Sequence, residues 1–187
     1  MAELLRQRST IDHEIATILK RPVHSGHFGE YVANAIFGIE LNQSANAKSH
    51  DGRFTDGPMT GQSVNVKYQT RHRGLLNLGL STDPEDHPDF YFVLTGPPIS
   101  MGPTHDTFAP LCVDAVYLFE SRSLLNELAV RGLQPGVARS VRRTLWDAAM
   151  IYPEARNPLL ALNREQRAAL ALFAGEDQYL GGHAVPK

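Results

Sequence analysis

Ser63-Val64-Asn65-Val66-Lys67-Tyr68-Gln69-Thr70 is the stretch on which the reading of this chain turns. It alternates. Val64, Val66 and Tyr68 fall on one side, and Asn65, Lys67 and Gln69 on the other, with Arg71 next in that row. Period-two alternation marks a strand with one buried face. The polar side is the unusual one, because it carries an amide, an ammonium and a second amide in succession. A lysine two residues after an oxygen-bearing side chain lets both touch one phosphate or one metal-bound water. The turn-rich Asp56-Gly57-Pro58-Met59-Thr60-Gly61 precedes the stretch, and His50-Asp51-Gly52-Arg53-Phe54 precedes the turn. Together they predict two antiparallel strands.

Working outward, Glu3 to Lys20 reads as a helix that Arg21-Pro22 ends. A second helix follows Ser25-Gly26, with Phe28, Val32, Ala35, Ile36 and Ile39 in one stripe and Gly38 as its stop. Ile39 to about Ala45 reads as a first strand. Beyond the central stretch, Leu75 to Asp89 is turn-rich, and Asp83-Pro84-Glu85-Asp86-His87-Pro88 reads as a loop. Phe90 to Thr95 is a continuous β-prone run, as expected of a strand buried on both faces. Gly102 to Pro110 reads as a loop and Val113 to Phe119 as another buried strand. Ser121 to Val130 reads as a helix closed by Gly132. The last helix is announced by Asn163 at N-cap and Gln166 three residues on, a capping box, and it closes before Gly175.

Strands and helices in this order predict an α/β fold with a mixed central sheet flanked by helices. The 187 residues suit one domain over 1–175, with a core at about 26–120, a helical part at 121–175 and a loose tail at 176–187. A hydrophobic fraction of 42% supports a core and argues against disorder. The single cysteine, Cys112, excludes an intrachain disulfide and a multi-cysteine zinc site, and reads as a core residue. No apolar run reaches the ~20 residues of a membrane span. The start Met1-Ala2-Glu3-Leu4-Leu5-Arg6 lacks the apolar stretch of a secretory signal, so a cytoplasmic protein is expected. A net charge of −2 gives no global attraction to nucleic acid and leaves that role to local patches.

Chemistry-bearing residues fall in order along these elements. Glu30 lies on the second helix, in Gly26-His27-Phe28-Gly29-Glu30. Asp51 lies in the first arm of the hairpin and Asn65 and Lys67 in the second. This order resembles that of the PD-(D/E)XK nuclease superfamily, the restriction-endonuclease-like fold. There a helix supplies a glutamate, a strand an aspartate, and the next strand an acidic-x-lysine motif. The likeness covers about residues 26 to 95 and is closest to small bacterial members, through Gly-x-x-Gly-Glu at 26–30, His-Asp-Gly at 50–52, Val-x-Val-Lys at 64–67 and the run at 88–97.

The resemblance implies a Mg²⁺- or Mn²⁺-dependent DNA endonuclease, with restriction or defence as its setting and a homodimer as its working form. Asp51 is then the central metal ligand, with Glu30, Asn65 and the carbonyl of Val66 beside it. Lys67 is the electrostatic stabiliser, and Gln69 orients a phosphate or water. Mg²⁺ prefers oxygen ligands in octahedral geometry and keeps several waters. The chain departs from the motif at Asn65, where the family carries Glu or Asp. An amide oxygen coordinates without bringing charge, so the site either leans on Glu30 or is weakened. Two other readings follow: a nucleic-acid-binding protein with a decayed site, or a protein-binding component of a larger assembly.

Each residue also has a plainer reading. Lys67 is a solvent-facing lysine if the strand is exposed, Glu30 an exposed helical glutamate, and Asp51-Gly52 a turn. Asp56 competes with Asp51, which is preferred because Asp56-Gly57-Pro58 reads as turn chemistry. Two basic groups, Arg71 with Arg73 and Arg139 with Arg142 and Arg143, are candidates for phosphate contacts. His24 and His27 lack the i, i+4 pairing of a helical zinc site and read as a polar helix entrance.

Overall fold

The computed structural model describes residues 1–42, 50–70, 74–79, 81–97, 110–137 and 139–175. Its helices are α1 (Ala2–Leu19), α2 (Ser25–Phe37), α3 (Ser121–Val130), α4 (Arg143–Ala149) and α5 (Arg164–Ala171). Its strands are β1 (Ile39–Leu41), β2 (Gly52–Phe54), β3 (Ser63–Thr70), β4 (Leu75–Leu76), β5 (Phe90–Gly96), β6 (Ala115–Glu120), β7 (Arg139–Ser140) and β8 (Met150–Tyr152). Six strands form one mixed sheet in the order β1-β2-β3-β5-β6-β8. Only β3 and β5 run parallel; the other neighbours are antiparallel. The fold is α/β with helices on both faces, as the order of elements predicts.

Two apolar layers cover the sheet. On one face Val64 and Val66 of β3 join Phe92 and Leu94 of β5, and α2 and α5 close over them through Phe28, Val32, Phe37 and Leu170. On the other face Tyr91 and Val93 of β5 meet Tyr117 and Phe119 of β6, under Leu124 and Leu128 of α3 and Trp146 of α4. All seven residues of β5 are buried, which explains its unbroken apolar run. β3 keeps its alternation because only its Val64 side is packed with apolar groups.

Local chemistry sets the helix ends. The ring Nδ1 of His24 accepts the N–H of Gly26 at 3.1 Å and begins α2. Gly38, at φ 60°, supplies the left-handed turn that ends it. Both halves of the Asn163–Gln166 capping box form. Gln166 also donates its Nε2 to the Ile36 carbonyl at 3.0 Å and ties α5 to α2. α1 stands apart from the core. It buries no residue, and Leu4, Leu5, Ile11 and Ile18 are exposed. It ends at Leu19 because Lys20 turns left-handed at φ 55°, just before the Arg21-Pro22 stop. No helix among the described residues is long and apolar enough to cross a membrane.

The short elements are where sequence and structure differ. β1 covers only Ile39–Leu41 of the expected strand, whose end falls outside the described residues. Leu75–Leu76 and Arg139–Ser140 form a small second sheet, a pairing between distant segments that no local pattern announces. β8 follows α4 without a turn residue between them. The expected loop at 102–110 lies outside the described residues up to Pro110, as does the expected tail at 176–187.

Tyr68 gives the fold an alkaline limit. Its hydroxyl donates to the Cys112 carbonyl at 2.8 Å and receives the Cys112 N–H at 3.3 Å. Burial pushes its phenol up to about 12, against a partial opposing effect of the Cys112 N–H. Because the folded value is raised, the neutral phenol stabilises the fold fully below the ordinary value of 10.0, and this is lost as pH climbs towards 12. Urea midpoints measured from pH 9 to 12 should fall more steeply in the wild type than in Tyr68→Phe.

Candidate active site at the edge of the central strand

β2 pairs with β3 only through Gly52 with Val64 and Arg53 with Ser63, whereas β3 continues to Thr70. The ladder ends where Asp51 donates its N–H to the Val64 carbonyl at 2.9 Å. The next donor along this edge is the Val66 N–H. A further β2 residue would normally accept it. Here the Asp51 carboxylate does, with Oδ2 at 2.7 Å. Within one strand residue the N–H and the carbonyl point to the same edge. The Val66 carbonyl therefore looks towards the side that Asp51 occupies.

Alternation decides which face the β3 side chains share. Val64 and Val66 are buried on the α2 side, so Asn65, Lys67 and Gln69 belong to the other face. Asp51 stands at the break of the β2–β3 ladder: its N–H goes to Val64, its carbonyl accepts from Asn42 of the chain after β1, and its carboxylate meets the edge of β3 at the Val66 N–H, between Asn65 and Lys67 in sequence. Lys67 is half-buried. It makes no ion pair among the described residues.

Asn65 Oδ1 is buried and accepts no hydrogen bond among the described residues. An orphaned buried acceptor costs about 1–3 kcal/mol. A cation or a donor arriving at this point would recover that cost. The oxygens on offer are the Asp51 carboxylate, Asn65 Oδ1 and the Val66 carbonyl. All are hard donors and suit Mg²⁺ or Mn²⁺ by type. Only one of them carries charge. Among the described residues no group of three or more His, Cys, Asp or Glu side chains is placed to hold a metal ion.

Glu30 sits elsewhere. It belongs to α2, on the opposite face, and its carboxylate is held by Arg21 at 2.5 Å. The two line a cleft of roughly 570 Å³ with Lys20, His27, Asn34 and Asn42. Asn42 donates its N–H to the Asp51 carbonyl at 2.8 Å, so the cleft runs up to the strand end that carries Asp51. α2 also lies hard against β3 one residue before Glu30. A Cβ on Gly29 would stand 2.9 Å from Cβ of Tyr68, the neighbour of Lys67. Arg21 and Asn42 are the site residues that sequence reasoning missed. Arg21 reads only as a helix stop and Asn42 as part of a strand.

The other candidates find different places. Gln69 donates Nε2 to the Leu75 carbonyl at 3.0 Å and so anchors β4. Asp56 lies at the far end of β2, with Oδ1 about 2.8 Å from where a Cβ of Gly38 would stand. It belongs to the turn that follows β2. His24 caps α2, its ring lies 3.5 Å from that of His27 at a tilt of 34°, and His27 Nδ1 meets the Pro22 carbonyl at 2.7 Å. Arg142 pairs with Glu127 at 2.9 Å and Arg143 with Asp147 at 3.8 Å. Arg139 lies in β7 with its Nε buried and without a partner among the described residues. Arg71 and Arg73 lie outside the described residues. Cys112 is a buried thiol, raised by burial first and by Asp114 second. Comparison of the sequence with models of known protein families and with curated proteins finds no match.

Proposed function

We propose that this chain is a metal-dependent DNA endonuclease of the restriction-endonuclease-like, PD-(D/E)XK type. The observation that carries the reading is the Asp51 carboxylate, hydrogen-bonded to the Val66 N–H between Asn65 and Lys67. It supports the reading because a carboxylate meets the edge of β3, the third of six strands, beside a buried amide oxygen and an ammonium that are neighbours of Val66 in sequence. Mg²⁺ or Mn²⁺ held there would lower the pKa of a water and neutralise charge on a phosphate. Asp51 brings the negative charge, and Asn65 and the Val66 carbonyl complete the oxygen set. Lys67 donates to a phosphate oxygen as charge builds on it and holds the attacking water in line. A homodimer would bring two such sites to the two strands of a duplex.

A second reading has its own observation. Asn65 leaves the site one carboxylate short, and Arg21 occupies Glu30. Both favour a nucleic-acid-binding protein of the same architecture with weak or no catalysis. One experiment separates the two. Purified protein is incubated with plasmid and linear DNA in Mg²⁺, in Mn²⁺ and in chelator, beside Lys67→Ala. The nuclease reading expects metal-dependent cutting that falls about 100-fold in the variant, the scale of losing one charged donor. DNA binding with no cutting by either protein supports the second reading. Cutting that Lys67→Ala leaves unchanged places the chemistry elsewhere.

A further inference from the structure

Leu4, Ile11 and Ile18 form a row on α1 that no described residue covers. They are 64%, 54% and 63% exposed. They recur every seven residues, about two turns, so they stand in one line along the helix. That line is not the side that α1 turns to the body, where Asp12, Ile15, Ala16 and Leu19 are half-buried. A single exposed leucine needs no explanation, but three large apolar residues in line over about 21 Å mark a contact surface.

We infer that α1 pairs antiparallel with α1 of a second copy of this chain, about a two-fold axis at Ile11. The row reads the same from either end. Leu4 and Ile18 are equally far from Ile11, as an isologous contact requires, so Leu4 of each copy meets Ile18 of the other. Charge sets the direction. Arg8 and Asp12 lie on one flank of the row, and Gln7 and Glu14 on the other. The axis keeps like flanks together and reverses their order, which brings Arg8 beside the second copy's Asp12 and Gln7 beside its Glu14. A parallel copy in register sets Arg8 against Arg8 and Glu14 against Glu14. Arg8 and Asp12 are open to this exchange: their side chains are 78% and 45% exposed, and the pair they form on one helix is loose at 3.4 Å. Glu14 makes no ion pair among the described residues. α1 lies outside the residues 26–95 that carry the family likeness, and the pairing stands whether or not the protein cuts DNA.

Sedimentation of the full chain over a concentration series tests the pairing. The mass should rise with concentration towards twice that of one chain. Ile11→Glu sets two carboxylates at the axis and should weaken the dimer about 30-fold or more, the loss expected at the centre of an interface. Ile11 is exposed in the single chain, so melting of the dilute protein should not change. Engineered cysteines read the direction. In the antiparallel pair the two Leu4 positions lie about 21 Å apart, far beyond the reach of a disulfide. Leu4→Cys alone and Ile18→Cys alone should therefore stay uncrosslinked under mild oxidation, and an equimolar mixture of the two should form a covalent dimer. The wild type, whose one cysteine is buried, is the control. A chain that keeps the mass of a monomer at about 100 µM, where a micromolar dimer is largely assembled, overturns the inference. So does a dimer that Ile11→Glu leaves intact, cross-linking within either single variant, or a mixture that fails to cross-link. None of these measurements involves DNA or metal, so their failure leaves the nuclease reading where it stands.

Discussion

Asp51→Asn should abolish divalent-metal binding and reduce DNA cutting by about 1,000-fold or more while leaving the protein folded. The change is nearly isosteric. Its amide oxygen still accepts the Val66 N–H that Oδ2 accepts now at 2.7 Å, so stability should move by less than about 1 kcal/mol. What disappears is charge. Asp51 is the one carboxylate among the three oxygens at this edge, and Asn65 cannot replace it. Metal assistance is worth several kcal/mol of barrier, and each 1.36 kcal/mol is about tenfold in rate. Asp51→Ala adds a second effect. It leaves the Val66 N–H without its acceptor at about 1 kcal/mol, and its melting point should fall where that of Asp51→Asn does not. Calorimetry with Mn²⁺ and a plasmid-nicking assay on both variants check the prediction. Cutting by Asp51→Asn at the wild-type rate would remove Asp51 from the chemistry.

The contrast between the two substitutions shows what sequence could and could not convey here. The alternation of Ser63–Thr70 is legible because one face of β3 is packed and the other is polar. The run Phe90–Gly96 is legible because β5 is covered on both faces, and Asn163 because its cap is formed by a residue three positions away. These signals are local. The bond from Val66 to Asp51 is not. It exists because β2 stops pairing one residue before Asp51, and that depends on register rather than residue type. The Arg21–Glu30 pair is hidden for a related reason. Arg21-Pro22 has a full local explanation as a helix stop, and nothing within the sequence window indicates a carboxylate nine residues on. Leu75–Leu76 with Arg139–Ser140, and Met150–Tyr152 with β6, are long-range pairings too short to build a pattern of their own.

Gly52 carries the second large effect, and it links the fold to the site. By sequence, Asp51-Gly52 reads as turn chemistry. The structure gives the glycine another reason. A Cβ built on it stands 2.3 Å from the Glu40 carbonyl oxygen and 3.1 Å from Cα of Leu41. Both obstacles are backbone atoms of β1, so no side-chain rotation relieves them. Gly52→Ala must push β1 off β2 at the pair Leu41–Gly52, and should cost about 3 kcal/mol or more, the upper end of overpacking. The strain falls one residue from Asp51, whose carbonyl accepts the Asn42 N–H at 2.8 Å across the same gap. Separating the strands therefore shifts the carboxylate off the Val66 N–H, so stability and metal binding should fall together. Gly57→Ala is the matched control. Nothing lies within 4 Å of its Cβ, and only its φ of +71° penalises the change. It should cost about 1 kcal/mol and leave metal binding intact. Urea unfolding and Mn²⁺ titration of the two variants decide the matter: equal losses in both would mean that Gly52 is needed for its turn and not for the approach of β1.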